Sequence, residues 1–318
     1  MEAGGGCGYR REMTSYLYGR PPAVFDPPGD AVQTSPTIPG STPLEEVEGG
    51  SAETITIYAP PGVLERRYTL ALGLRALATG GRLDVMAPKD KGGSRLRKEL
   101  EAFGLEVAET AKAHHRRCIV VKPAKVEFLD NAIEQGAPRV VADIKAWSQP
   151  GIFAWNRHDQ GSSLLWEQLM FQGADLPIRG AGVDLGCGNG ALDRALLADW
   201  PRIQSLRLVD IDRRAIEMAR RNVTDHRASF EWADARTLAE TGDVDFVISN
   251  PPFHDGGAED RRLGQAFIRK AAGLLKKGGV LWLVANRHLP YEAELDAAFR
   301  RVRMIADAGG YKVFEAVK

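Results

Sequence analysis

The feature that most constrains this chain is a glycine-rich run, Val183-Asp184-Leu185-Gly186-Cys187-Gly188-Asn189-Gly190. An apolar segment typical of a strand precedes the run, and helical spacing of apolar residues begins at Ala191. Glycines allow a sharp turn and a close approach of the backbone to a ligand. Free amides at the start of a helix can bind polar ligand atoms. The run therefore predicts a ligand site, with Cys187 as a small filler and not a nucleophile.

Two acidic residues accompany this run. Asp210 ends the next predicted strand, where a carboxylate can bind both hydroxyls of a ribose, and Asp212 is the better candidate for the following helix N-cap. Asp234 ends the third predicted strand and could accept an adenine amino group, although aspartate is also a common turn residue. The glycines lack the GxGxxG spacing of dinucleotide sites, which argues against a pyrophosphate ligand.

The tetrapeptide Asn250-Pro251-Pro252-Phe253 follows the fourth predicted strand. The tetrapeptide resembles the catalytic motif of enzymes that methylate planar amino groups. Such an amine is a poor nucleophile, because its lone pair is delocalised into the ring. An Asn side-chain oxygen and a Pro carbonyl can accept its two N–H groups, and Phe253 can stack on the base. The prolines stiffen the loop and hold the carbonyl in place. Positioning of the amine and placement of charge would supply most of the rate gain of a reaction at its nitrogen. The alternative is a simple turn.

The C-terminal half alternates strand and helix patterns. Strands are predicted at 180–185, 205–210, 228–232, 244–249 and 279–285, and residues 301–318 resemble a hairpin around Gly309-Gly310. Helices are predicted at 191–199, 213–222 and 262–276. We therefore predict an α/β domain over residues 151–318, with a doubly wound sheet closed by an antiparallel hairpin.

The N-terminal half is less regular. Residues 1–51 are rich in Gly, Pro, Ser and Glu and predict a poorly ordered lead-in, of which Met13 could equally be the start. Residues 52–150 alternate strand and helix patterns, which predicts a smaller, mostly parallel α/β domain. This half contains neither the glycine-rich run nor the Asn-Pro-Pro-Phe loop.

This ordered series of motifs resembles the class I S-adenosylmethionine-dependent methyltransferases. The resemblance implies a Rossmann-like sheet of seven strands, in agreement with the strand pattern. It implies S-adenosylmethionine as cofactor and a catalytic loop of Asn250, Pro251, Pro252 and Phe253. The residues that it assigns to the cofactor site are Asp184, Gly186, Cys187, Gly188, Gly190, Asp210, Ile211, Asp234, Ala235 and Asn250.

Flanking segments resemble the bacterial ribosomal RNA guanine-N2 methyltransferases. The segments that carry this resemblance are 250–257, 284–291, 310–314, Gly151-Ile152-Phe153, Asp159 and Gly161-Ser162. The resemblance implies methyl transfer to guanine N2 in ribosomal RNA, as naked RNA or as a ribosomal subunit. It also implies that the N-terminal domain is a second, degenerate methyltransferase fold with a candidate RNA-binding role.

Two other functions stay open. The Asn-Pro-Pro-Phe motif is shared by enzymes acting on adenine N6 and on protein glutamine, although Phe253 and the long N-terminal domain argue mildly against glutamine. A binding protein is the second alternative: a ribosome assembly factor that keeps the cofactor fold but turns over little. Intact Asp184, Asp210 and Asn250 argue against an inactive enzyme.

Composition adds weaker constraints. Lys and Arg together number 42, as do Asp and Glu, so charge alone does not predict nucleic-acid binding. The three cysteines are far apart, which predicts neither disulfides nor a zinc site and fits a reducing cytoplasm. We expect no membrane span and no metal. His114-His115 are expected in a surface loop, and His158 and His254 near the catalytic site. The candidate RNA contacts are Lys89, Lys91, Arg95, Arg97, Lys98, Arg116 and Arg117, each of which could equally be a solvated charge.

Overall fold

The computed structural model describes residues 14–172, 178–252, 254–255, 258–259 and 261–318. The described residues divide into two compact units. The first unit comprises residues 14–35 and 40–135, and the second comprises residues 36–39 and those from 136 to the C-terminus.

Six strands of the first unit form one sheet. They are β1 (Thr14–Tyr18), β2 (Val32–Gln33), β3 (Ala52–Tyr58), β4 (Leu77–Pro88), β5 (Ala108–Lys112) and β6 (His115–Val121). The helices are α1 (Val63–Ala76), α2 (Ser94–Glu101) and α3 (Leu129–Gly136). The strand order is β2-β1-β3-β4-β6-β5. The first four strands pair in parallel, whereas β6 is antiparallel to both β4 and β5.

The expectation of a poorly ordered lead-in over residues 1–51 is wrong from Thr14 onward. Strand β1 lies inside the sheet between β2 and β3, and the connections after it bury Phe25, Leu44 and Val47. The short strand escaped detection because Pro- and Gly-rich loops surround it and hide its apolar pattern. Residues 1–13 lie outside the described residues.

The boundary expected at residue 150 also moves, to residue 135. A hairpin of β7 (Arg139–Val141) and β8 (Ala146–Ser148) belongs to the second unit. The side chain of Asn222 holds it there by accepting from the Trp147 backbone N–H at 2.7 Å and donating to the Trp147 carbonyl at 2.9 Å. Contacts over such a long sequence separation leave no local signal.

The second unit is built on a seven-stranded sheet. Its strands are β9 (Gly180–Leu185), β10 (Ile203–Asp210), β11 (Ala228–Trp232), β12 (Val244–Ser249), β15 (Leu275–Asn286), β16 (Arg301–Ala308) and β17 (Tyr311–Val317), and β13 (His254–Asp255) pairs with β14 (Ala258–Glu259) outside the sheet. The helices are α4 (Gln160–Gln172), α5 (Ala191–Asp199), α6 (Arg213–Asn222), α7 (Arg261–Leu274) and α8 (Glu292–Ala298). The strand order β11-β10-β9-β12-β15-β17-β16, with an antiparallel β16–β17 end, confirms the predicted fold class.

Helices cover both faces of this sheet. Leu165 of α4, Leu196 of α5 and Ile216 of α6 pack on one face, and Phe267 of α7 and Leu295 of α8 pack on the other. Strands buried on both faces explain the nearly continuous apolar runs in the sequence. Because β9, β10, β11 and β12 are parallel, the loops that follow them meet at one edge of the sheet, where ligands bind in such folds.

The two units share a strand plan. The first sheet repeats the pairing directions of the second with one parallel strand fewer. The starts of β4 and β15 also match, since Gly80 and Gly278, the fourth residue of each strand, have φ of 81° and 82°. A Cβ on Gly81 would lie 3.0 Å from the carbonyl oxygen of Glu53, and one on Gly279 would lie 3.0 Å from that of Asp245. Both second glycines therefore permit the same close approach to a neighbouring strand.

Candidate active site

The glycine-rich loop joins β9 to α5. A Cβ on Gly190, whose φ is 75°, would lie 2.9 Å from Val223 Cγ2, so this glycine allows α5 to start close to the end of α6. Gly188 differs, because its φ is 55° but a Cβ there would meet no atom of the described residues within 4 Å. The loop thus has one glycine required by packing and one beside open space. A Cβ on Gly186 would be 3.8 Å from the Asn250 carbonyl oxygen, so this loop is adjacent to the Asn-Pro-Pro loop.

Asp210 ends β10 and connects to the glycine-rich loop. The N–H of Gly188 donates to its Oδ2 and the N–H of Asp212 to its Oδ1, both at 2.9 Å. Burial raises the pKa of Asp210 to about 6 against the opposing effect of these hydrogen bonds. At neutral pH the group is therefore a carboxylate with free lone pairs that can accept two hydroxyls. The next carbonyl, of Ile211, accepts the indole N–H of Trp232 at 2.8 Å, which fixes that ring.

Asp184 is almost fully buried, and its carboxyl group contacts that of Asp193 in α5. Among the described residues, no N–H or hydroxyl group donates to the Asp193 carboxyl oxygens, so the contact is between the two acids alone. Desolvation by burial raises the pKa values of both acids, to about 7 for Asp193. Burial also raises the pKa of the Cys187 thiol well above its ordinary value, and the nearby carboxylates add to the shift. A neutral, buried thiol agrees with the interpretation of Cys187 as a filler.

Asp234 follows β11, as predicted, but its carboxylate already has partners. It accepts the backbone N–H of Arg236 at 2.9 Å and the guanidinium of the same residue at 2.6 Å. It thereby caps the short helical turn Ala235–Thr237. Ala235 is buried below it. The turn interpretation is therefore realised, and contact with an adenine stays a prediction.

Asn250 follows β12 and is held by the segment before α4. Its Nδ2 donates to Asp159 Oδ2 at 2.7 Å and to Ser162 Oγ at 3.0 Å. Its Oδ1 is buried and has no partner among the described residues. Pro251 is buried and Pro252 is exposed, whereas Phe253 lies outside the described residues. The side chain that was predicted to accept an amine thus presents an unsatisfied acceptor.

Sequence reasoning missed the residues that support these loops. Asp159 and Ser162 were noted only for their resemblance to a family segment, and nothing in their pattern reveals Asn250 as their partner. Asn222 gave no signal at all, yet its Nδ2 also donates to the Asn189 carbonyl at 2.8 Å, which links the glycine-rich loop to the β8 strand.

The first unit contains a counterpart of the Asn-Pro-Pro loop that was also missed. Strand β3 holds the same place in its sheet as β12, and it is followed by Ala59-Pro60-Pro61-Gly62. Alanine stands where the second unit has Asn250. Arg66 donates to the carbonyls of Pro60 and Pro61 at 3.1 and 2.7 Å and to Glu99 at 2.6 Å. The loop carbonyls are therefore occupied by the protein itself.

The family of methyltransferase small domains has a model that matches residues 143–315, which contain every described site residue above. The chain is also 30% identical over 312 residues to the ribosomal RNA small subunit methyltransferase C of Yersinia pseudotuberculosis, covering 93% of this chain and 87% of that protein. The chain belongs to the methyltransferase small domain family. This membership confirms the resemblance seen in the sequence.

Further members of this methyltransferase family agree. The protein of the same name from Shewanella piezotolerans is 28% identical over 84% of this chain and 77% of its own length. A solved structure of the T. thermophilus 16S rRNA N2 G1207 methyltransferase, in complex with AdoMet and guanosine, aligns with a TM-score of 0.75 at 25% identity. The alignment covers 96% of this chain and 88% of that one.

The charged and histidine candidates divide by environment. Arg97, which is exposed, pairs with Glu101 at 2.8 Å, and Arg117 pairs with Asp84 at 2.5 Å. Lys89, Arg95 and Lys98 are also exposed. His115 packs edge-on against Phe25. Across the described residues, no group of three or more His, Cys, Asp or Glu side chains is placed to hold a metal ion. In the same part of the chain, no helix has the length and apolar character to cross a membrane.

Proposed function

We propose that this chain transfers a methyl group from S-adenosylmethionine to the exocyclic N2 amine of a guanine in ribosomal RNA. The observation that carries the proposal is the Asn250 side chain beside the glycine-rich loop. Both hydrogens of its nitrogen are used, and its buried oxygen has no donor in the part of the chain that the structure describes. The names of its relatives, which specify ribosomal RNA and guanine N2, support this choice of substrate.

The residues at the strand ends fit S-adenosylmethionine. The open space at Gly188 can admit a ligand close to the backbone, and Asp210 is a half-buried carboxylate that can accept two ribose hydroxyls. When bound, the cofactor supplies an electrophilic methyl group on a sulfonium. Ile211, Asp234 and Ala235 would surround its adenine, and the backbone at Gly186, Cys187 and Gly190 would contact its methionine part.

The chain itself would position the amine. Asn250 Oδ1 would accept one amine N–H and the Pro251 carbonyl the other, which turns the nitrogen lone pair away from the ring. Phe253 would stack on the guanine. The target guanine must be unpaired or flipped out to reach this loop. No strong base is needed, because positioning and hydrogen bonding supply the activation.

For the first unit we propose a degenerate methyltransferase-like domain that contacts RNA. The shared strand plan and the Ala59-Pro60-Pro61-Gly62 loop support a common origin of the two folds. The absence of an asparagine at Ala59, together with the occupation of the loop carbonyls by Arg66, argues against a second catalytic centre. Exposed Lys89, Arg95 and Lys98 are its best candidates for phosphate contacts. We expect the protein to work in the cytoplasm, where ribosomes assemble, without a metal.

The test is methyl transfer from labelled cofactor to small-subunit RNA and to small subunits that lack the modification, followed by nucleoside analysis. We expect labelled N2-methylguanosine. Asn250→Ala should lower kcat by about 10²–10³-fold because a transition-state contact is lost. Label in N6-methyladenosine or in a protein glutamine would mean that adenine or glutamine, and not guanine, is the substrate. If cells that lack this protein show a ribosome assembly defect, and the Asn250→Ala variant corrects that defect, the role of an assembly factor would be favoured.

A further inference from the structure

The amide of Asn250 is held in one orientation by the start of α4. Asp159 directly precedes this helix, and Ser162 lies in its first turn. A carboxylate can only accept hydrogen bonds, so the side of the Asn250 amide that faces Asp159 Oδ2 at 2.7 Å must be the nitrogen. The Ser162 hydroxyl takes the second hydrogen at 3.0 Å. With both hydrogens used, the oxygen is directed away from these partners.

That oxygen is buried, and none of the described residues donates a hydrogen bond to it. A buried acceptor without a partner is unfavourable, and proteins retain such groups where a ligand supplies the missing hydrogen bond. If the amide turned over, its oxygen would face the Asp159 carboxylate and its nitrogen would face the substrate. An amide nitrogen cannot accept an N–H from an exocyclic amine, so the reaction depends on the orientation that Asp159 imposes.

We propose that Asp159 is a positioning residue for methyl transfer, which acts through Asn250. It fixes the amide with the oxygen toward the substrate amine, and its negative charge polarises the amide so that Oδ1 becomes a stronger acceptor. This inference rests on the proposed function, since it concerns the same catalytic loop. It adds a residue on a different element, far away in the sequence, to the groups that set the rate.

The carboxylate is itself held in place. The N–H of Ser162 donates to Asp159 Oδ2 at 2.7 Å. The N–H and the hydroxyl of Ser163 donate to the Asp159 carbonyl at 2.9 and 2.8 Å. A Cβ on Gly161 would lie 3.0 Å from the Tyr311 ring and 3.2 Å from Asp159 Oδ2, so this glycine lets the carboxylate sit against the β17 strand.

Asp159 is therefore also the N-cap of α4, and the test must separate the two roles. Ser and Asn are good N-caps, so Asp159→Ser and Asp159→Asn preserve the helix start. Serine is too short to reach Asn250, and asparagine keeps the shape without the charge. Ser163→Ala is the matched control, because it removes one hydrogen bond at the same helix start without touching Asn250.

Each variant is assayed for kcat, for KM with unmethylated ribosomal RNA substrate, for S-adenosylhomocysteine affinity and for melting temperature. We expect Asp159→Ser to lower kcat by about 10–100-fold and Asp159→Asn to lie between it and the wild type. KM, cofactor affinity and Tm of both Asp159 variants should stay near those of the wild type. For Ser163→Ala, kcat, KM, cofactor affinity and Tm should all stay near the wild-type values. A wild-type kcat in Asp159→Ser, or equal losses in Asp159→Ser and Ser163→Ala, overturns the proposal.

A double-mutant cycle with Asn250→Ala gives the second readout. If Asp159 acts through Asn250, then adding Asp159→Ser to Asn250→Ala lowers kcat by no more than about twofold, because the two changes remove one shared interaction. Equal losses in both backgrounds would show an independent role and reject the inference. If Asp159→Ser does not fold, Asp159→Asn and Ser162→Ala enter the same cycle. A wild-type protein that methylates no guanine would instead reject the proposed function itself.

Discussion

The carboxyl groups of Asp184 and Asp193 contact each other in the interior of the second unit, where their relative exposures are 3% and 0%. Two buried carboxyl groups can remain in contact only if they share a proton. Burial accordingly raises the pKa values of both, with Asp193 at about 7. This acid pair joins the strand before the glycine-rich loop to the helix after it. Burial thus favours the protonated form of both acids.

This pair makes stability depend on pH. The pKa of Asp193 in the folded state lies above the unfolded value of about 3.9. Between these two pKa values the folded protein binds more protons than the unfolded chain. The contribution of the pair to the free energy of unfolding therefore falls as the pH rises from about 4 to 7. Asp193→Asn removes the titrating group and lets an amide N–H donate to Asp184. We expect it to raise the free energy of unfolding by about 1–3 kcal/mol at pH 8 and by much less at pH 4, measured by urea titration.

The control for that prediction is Asp199→Asn, an exposed aspartate at the other end of α5. Its effect should be below about 0.5 kcal/mol at either pH. A stability gain from Asp193→Asn that does not differ between pH 4 and pH 8 would contradict the shared proton.

Asp210 should make cofactor affinity depend on pH. Its pKa of about 6 belongs to the protein without ligand, and ribose hydroxyls bind the carboxylate better than the acid. Lowering the pH from 7.5 to 5 should therefore weaken S-adenosylhomocysteine binding by about tenfold, with most of the change below pH 6. Isothermal titration calorimetry would measure this. Asp210→Asn should bind weakly at both pH values, and an equally steep pH dependence in that variant would assign the effect to another group.

Gly188 and Gly190 should separate binding from stability. Alanine at either position must adopt a positive φ, which costs about 1–2 kcal/mol. Gly190→Ala adds a contact of 2.9 Å with Val223, so its total loss should reach about 2–4 kcal/mol. Gly188→Ala meets no protein atom but fills the proposed cofactor space. Its S-adenosylhomocysteine affinity should fall by more than about tenfold.

Denaturation curves and calorimetry on both glycine variants check these expectations. Unchanged affinity in a folded Gly188→Ala variant would mean that the cofactor does not pass close to this residue. A greater loss of stability in Gly188→Ala than in Gly190→Ala would contradict the packing at the start of α5.

The grouping of the candidate site residues could be predicted from sequence where they lie at the ends of parallel strands, and their roles stay predictions. Gly188, Asp210 and Asn250 are far apart in the chain, but each lies at or just after the end of a strand. Parallel strands bring their carboxyl ends to one edge of the sheet. Asp159 could not be assigned a role, because its partner is set by how α4 packs. Strand β1 was missed because residues around it have the composition of a loop, and only pairing with β3 makes it a strand. Local patterns thus predicted the elements, and tertiary contacts decided the supporting residues.

The buried ion pair of Arg66 and Glu99 should be a major source of stability in the first unit. The two side chains are only 1% and 13% exposed, and Arg66 also holds the Pro60 and Pro61 carbonyls. Glu99→Ala leaves a buried guanidinium without its counter-charge, which should cost about 3–5 kcal/mol. Arg97→Ala, on the same helix, breaks an exposed pair with Glu101 and should cost below about 1 kcal/mol. Chemical denaturation, and separately hydrogen exchange in α1 and α2, would measure the loss of stability in each variant. Similar losses in Glu99→Ala and Arg97→Ala would mean that water reaches Arg66.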